Sequence, residues 1–270
     1  MTWNHAIFLV LCFGLCFAGN IPYTDDLGRN KLYPLANAAY SSDPESCFDK
    51  VLKKPSELIG KFEAPCDALN GDNCAGYVAV SHGEQVIIVA FRGSVANQQN
   101  EEINETIFVQ PVTFVAGKVN PYFLNGFQVL DDAGMKNAII QTKNKYPDYA
   151  IWITGHSLGA ALASVAAAKI AFLNYFPPEK MLLMTFGQPR TGTIQYAKFV
   201  DSKIPNAYRV VHRYDWVPQM PPEILYGYFH HATEVWYNND MKIGDPFKVC
   251  KGDEDLSCSE TSGHLNGDVS

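Results

Sequence analysis

IWITGHSLGA, residues 151–160, is an apolar run that meets a glycine and continues into small residues. Ala150–Thr154 has the β-branched and aromatic content of a strand, and Leu158–Phe172 the alanine-rich content of a helix. Between them Gly155-His156-Ser157-Leu158-Gly159 matches G-x-S-x-G. A chain that turns from strand to helix within these residues crowds its own backbone. Glycines at 155 and 159 remove the side chains that would collide there. On these five residues alone, a serine capping a helix N-terminus is an equal reading. The strand before and the helix after favour a nucleophile at Ser157.

Outward from this turn the same alternation continues. Gly76–Ser81, Gln85–Phe91, Met181–Phe186 and Tyr208–His212 are expected strands, with Ile107–Phe114 a further one. Val86–Ala90 lacks any polar position, the pattern of a strand covered on both faces. Helices are expected over Asn30–Tyr40, Asn120–Lys145 and Ile194–Val200, and a terminal hairpin from Thr233–Tyr237 and Pro246–Cys250. Strands alternating with helices predict an α/β chain with a mostly parallel central sheet flanked by helices.

The chain has 270 residues, 47% hydrophobic and 18% charged, with a net charge of −7. That is globular composition. The acidic balance and the lack of any Lys/Arg-rich run argue against nucleic acid or an anionic membrane surface as the default partner, because nothing would neutralise phosphates. Residues 6–18 (AIFLVLCFGLCFA) carry no charge and are too short to span a bilayer. They have the length of a signal-peptide core, which predicts a signal peptide over residues 1–18, cleavage after Ala18, a secreted protein, and one domain over 19–270. In an oxidising compartment the close pairs Cys66/Cys74 and Cys250/Cys258 are candidate disulfides, and Cys47 is left over. Asn104-Glu105-Thr106 is a candidate glycosylation site.

A serine hydroxyl needs an adjacent base. After a G-x-S-x-G turn the partners follow in the order acid, then histidine. Asp215 lies just past the strand Tyr208–His212, where an α/β sheet gathers its site; Asp201, at a helix end, is the rival acid. His230 and His231 lead directly into a strand and are expected to be structural. His264 lies beyond the last strand and is the candidate base. His156 is expected to point away from the serine and pack under the turn. Two N–H donors are needed for the oxyanion: Leu158, which opens the helix, and Ser94, which follows the strand Gln85–Phe91 in Phe91-Arg92-Gly93-Ser94. No metal or organic cofactor is expected.

FRGS at 91–94, GHSLGAALA at 155–163, FGQPRTG at 186–192, RVVHRYDWVPQMPP at 209–222 and the Cys250…Cys258…His264 ending together resemble the fungal-type, class 3 triacylglycerol lipases. The spacing is also similar to secreted nematode members of that family. The resemblance implies an α/β-hydrolase fold, with Ser157 as nucleophile, Asp215 as orienting acid, His264 as base, and Ser94 with Leu158 as oxyanion hole. It implies a secreted serine ester hydrolase acting on acyl esters of lipids. It also places a lid over Val95–Thr106. Here that segment reads VANQQNEEINET, with three glutamates and no aromatic residue. Such a segment cannot present a large apolar face, so contact with a lipid surface is expected to be transient at most. A feruloyl-type or other polar-ester esterase, and a non-catalytic lipid-binding homologue, are the alternative readings on the same fold.

Overall fold

The structure is a computed structural model that describes residues 21–66, 73–95 and 109–259. The expected signal segment, Asn104 and His264 lie outside the described residues, as does the lid segment beyond Val95.

The strands, in chain order, are β1 (Ser56–Pro65), β2 (Asn73–Ser81), β3 (Val86–Phe91), β4 (Val112–Phe114), β5 (Gly117–Val119), β6 (Ala150–His156), β7 (Met181–Phe186), β8 (Gly192–Thr193), β9 (Ala207–His212), β10 (Tyr228–Phe229), β11 (Glu234–Tyr237) and β12 (Lys248–Val249). The central sheet runs β1-β2-β3-β6-β7-β9-β11-β12 from edge to edge. β3, β6, β7, β9 and β11 are parallel. β1 and β2 extend one edge antiparallel, and β12 closes the other. In the centre, Ile151 pairs with Ile87 on one side and Met181 on the other.

Every residue of β3 and β7 is buried, because helices cover both faces of the sheet. The two-residue period of a strand then divides the core in two. Ile87, Val89, Phe91, Ile151 and Ile153 face the helices Pro121–Leu130 and Leu158–Phe172. Ile88, Ala90, Trp152, Leu182 and Met184 face the other way, against Leu32, Leu35 and Phe48. Leu158–Phe172 is buried all round from Leu158 to Ala168, and its alanines let it lie close on the sheet.

The structure changes several expected elements. The helix expected over Asn120–Lys145 is broken: Pro121–Leu130 and Lys136–Lys145 are joined by a wide turn in which Gly134 has φ 115°. A side chain at 134 would strain that kink. The strand expected over Ile107–Phe114 is confined, among the described residues, to β4. It belongs to a small second sheet with β5, β8 and β10. Disulfides join Cys66 to Cys74, where β1 meets β2, and Cys250 to Cys258, which closes the loop after β12. Cys47 is a half-buried free thiol.

Candidate active site

Ser157 sits between β6 and the helix Leu158–Phe172 with φ 57° and ψ −125°. This is a strained conformation for a residue with a side chain, and it persists because the surroundings leave no alternative. The Ser157 N–H donates to the Phe186 carbonyl at 2.9 Å, tying the turn to the end of β7. A Cβ on Gly155 would collide with the carbonyl group of Gly159, and one on Gly159 would collide with the carbonyl of Phe91. The two glycines therefore let β6, the helix and the end of β3 meet at one point. Ser157 occupies the helix N-cap position, yet its side chain makes no capping hydrogen bond.

Asp215 follows β9. Its N–H donates to the His212 carbonyl at 3.0 Å, and its Oδ1 accepts from the Val217 N–H at 3.0 Å. Its Oδ2 lies over Gly187, where a Cβ would come within 2.8 Å of it. Burial pushes the Asp215 carboxyl up from its usual range; the Val217 N–H and the nearby His156 and His212 oppose that shift. Ser157 and Asp215 line one cleft of about 820 Å³, whose walls include Tyr33, Phe186, Val210 and Trp216.

On the other side of Ser157, a smaller pocket of about 260 Å³ holds Ser94. The loop that carries Ser94 is pressed against the turn: a Cβ on Gly93 would collide with the His156 carbonyl and the Tyr40 hydroxyl. The Arg92 guanidinium donates to the Asn73 carbonyl and so anchors the loop from behind. Leu158 opens the helix, and its N–H has no helical carbonyl to bond. Ser94 and Ser157, the residue that precedes this helix, thus line the same pocket.

His156 does not pack under the turn. It is exposed at the meeting point of the two pockets, where its Nδ1 bonds the Tyr40 hydroxyl at 3.0 Å. The crowded walls lower its pKa, against the charge of Asp215. The outward position follows from strand alternation, since buried Gly155 precedes it. His212, also at the cleft, donates from Nε2 to the Asn239 carbonyl at 2.8 Å. Among the described residues no imidazole bonds the Ser157 hydroxyl.

His230 and His231 are buried away from Ser157. His231 accepts from the Gln188 amide on Nε2 and donates from Nδ1 to the Ala232 carbonyl; burial holds its pKa down at about 3. Asp201 accepts from the Ala232 N–H at 2.8 Å and lies next to Asp253. Burial, then the Asp253 charge, pushes it up to about 7. This rival acid thus belongs to a polar layer beneath the loop 250–258. In the same layer Arg190 forms a two-bond pair with Glu254 (2.9 and 3.1 Å) and donates to the Gln219 and Pro221 carbonyls. Sequence reasoning missed Tyr33, Asn37 and Tyr40 as pocket residues. Their spacing of four and then three, on a helix expected from Asn30, was the available signal.

The family model for class 3 lipases matches residues 88–225. The chain is 35% identical over 262 residues to Lipase ZK262.3 of Caenorhabditis elegans, covering 85% of this chain and 72% of that protein. It is 35% identical over 189 residues to secreted mono- and diacylglycerol lipase 1 of Fusarium solani, covering 68% of this chain and 54% of the relative. It therefore spans about half the length of that fungal relative. A solved triacylglycerol lipase, described as having a catalytic centre formed by a serine protease triad, superposes with a TM-score of 0.74. It is 25% identical, with 86% of this chain and 87% of that one covered.

Proposed function

This chain belongs to the class 3 lipase family of serine ester hydrolases, and from that premise we propose that Ser157, Asp215 and His264 are its catalytic triad in a secreted enzyme that cleaves acyl esters of lipids. The observation that carries the reading is the uncapped Ser157 on its strained turn, sharing one cleft with Asp215 and one pocket with Ser94.

In this reading His264 takes the proton from Ser157 as its Oγ attacks the ester carbonyl. Asp215 holds the imidazole and stabilises the imidazolium. Ser94 and the Leu158 N–H receive the oxyanion. The bond to the alcohol then breaks, the alcohol oxygen takes the proton from His264, and water repeats the sequence to release the acid. Position supports the choice of base. Ser259 lies against Gln219, its carbonyl 3.5 Å from the Gln219 amide, beside the loop that holds Asp215. His264 is five residues further on, within about 18 Å of chain. Secretion is supported by the secreted fungal relative, by the two disulfides, and by the charge-free segment 6–18. No helix among the described residues is long and apolar enough to cross a membrane.

The test is hydrolysis of p-nitrophenyl butyrate by the wild type, Ser157→Ala and His264→Ala. Each variant is expected to lose several orders of magnitude in kcat. Equal rates in Ser157→Ala would remove the nucleophile, and equal rates in His264→Ala would remove the base.

A further inference from the structure

Two N–H groups are assigned to the oxyanion, and the fold supports them unequally. Leu158 opens the buried helix Leu158–Phe172, so its N–H is placed by the helix itself. Ser94 stands three residues past the end of β3, in a stretch with no strand or helix to place it. A donor works only where charge develops, and a small displacement forfeits much of its effect. Ser94 therefore depends on what holds the residues before it.

Arg92 is tied to β2: its N–H donates to the Ala75 carbonyl at 2.8 Å and its guanidinium to the Asn73 carbonyl. Gly93 is held by different neighbours. A Cβ there would collide with the Tyr40 hydroxyl and the His156 carbonyl, so both groups lie directly against it. The same hydroxyl bonds His156 Nδ1 at 3.0 Å. Tyr40 and the residue before Ser157 are thereby joined across Gly93. Tyr40 is itself a firm post. The helix Tyr33–Ala38 that leads to it buries Leu35 and Ala36, and the Tyr77 hydroxyl donates to the Leu35 carbonyl at 2.8 Å. The Tyr40 N–H closes a last turn on the Asn37 carbonyl at 3.0 Å.

We propose that Tyr40 is a positioning residue for ester hydrolysis: its hydroxyl, bonded to His156, closes over Gly93 and fixes the Ser94 N–H for the oxyanion. The inference rests on Ser157 being the nucleophile and Ser94 an oxyanion donor. The phenol acts through the loop. Its loss is felt when the tetrahedral oxyanion forms and not when the ester binds.

Tyr40→Phe and His156→Leu each remove one end of the bond, and His156→Asn keeps an acceptor near the place of Nδ1. Both side chains are exposed, so the variants keep the fold, which the thermal midpoint checks. On p-nitrophenyl butyrate, Tyr40→Phe and His156→Leu should each lose about 10- to 100-fold in kcat, with KM within about twofold of the wild type. The double variant should lose no more than either single one, because the two side chains act as a unit. His156→Asn should retain most of the rate. A trifluoromethyl ketone forms a bond from its carbonyl carbon to Ser157 Oγ; its oxygen becomes the anion and His264 takes the serine proton. Its affinity for Tyr40→Phe should fall by the same factor as kcat. An unchanged kcat in Tyr40→Phe, a loss carried by KM alone, a ketone held as tightly as by the wild type, or losses that multiply in the double variant overturn the role of Tyr40 and leave Ser157 in place. A wild type that does not hydrolyse the ester overturns both readings.

Discussion

The Ser157 N–H bonds the Phe186 carbonyl at 2.9 Å, so the strained turn is fastened to the strand end from which Gly187 emerges beneath the Asp215 carboxylate. Serine and acid come from loops that follow different strands, and the Gly187 N–H, donating to the Val210 carbonyl at 2.9 Å, carries the link on to β9, which leads to Asp215. The site is built from main-chain contact first, and side chains are placed upon it.

Gly159→Ala tests that close approach. The added Cβ would meet the backbone of Phe91 and Arg92, the residues that lead into Ser94. Backbone has little room to move, so the variant should lose about 1–3 kcal/mol in urea denaturation. A variant as stable as the wild type would show that the contact is slack.

The Arg190–Glu254 pair is a second anchor, with the two side chains 2% and 9% exposed. Removing Glu254 takes away the two bonds it accepts from Arg190 and the one it accepts from the His230 N–H, and breaking a buried pair of this kind costs about 3–5 kcal/mol. Glu254→Ala should therefore lower the thermal midpoint far more than Glu179→Ala, a change at an exposed glutamate in the turn Pro178–Lys180. Similar losses in the two variants would contradict the assignment of Glu254 as an anchor.

Asp201 gives a pH signature. Its folded pKa is about 7, above the value near 3.9 expected when unfolded. The folded protein keeps the proton while the unfolded chain releases it, so this group's contribution is full below about pH 4 and is lost as pH rises to 7. An asparagine in its place would imitate the protonated acid, accepting from Ala232 and donating to Asp253. Asp201→Asn should thus gain thermal stability relative to the wild type as pH rises from about 4 to about 8. A gap that stays constant with pH, or moves the other way, would refute the raised pKa of Asp201.

Asp215→Asn examines the acid. The Val217 N–H can still be accepted by the amide oxygen, so the loop should keep its place. A neutral amide stabilises no imidazolium and favours the wrong tautomer, and kcat should fall by roughly 10⁴. A loss below about 10-fold would leave Asp215 a structural residue.

The turn at Ser157 was legible in the sequence because its causes are local: an apolar strand, two glycines and an alanine-rich helix within one short stretch. The parallel centre of the sheet was legible for the same reason, since β3 and β7 are buried and apolar along their length. β1 was not. None of its ten positions is buried, four are exposed, and it carries Glu57, Lys61 and Glu63, so SELIGKFEAP lacks the continuous apolar run of a central strand. The short strands of the second sheet hold too few residues to show a period. Arg190 and Arg209 look like surface cations in sequence. Their burial depends on Glu254 and Glu234, which lie far along the chain and meet them only in the fold. The outward turn of His156 is likewise set by its strand position and by Tyr40.

The most direct measurement is covalent labelling. A fluorophosphonate reacts when an activated serine oxygen attacks phosphorus and fluoride departs. Incubation of the full protein followed by peptide mass spectrometry should find one adduct, on the peptide that contains Ser157, and none in Ser157→Ala. No adduct, or an adduct on another residue that persists in Ser157→Ala, would contradict the account.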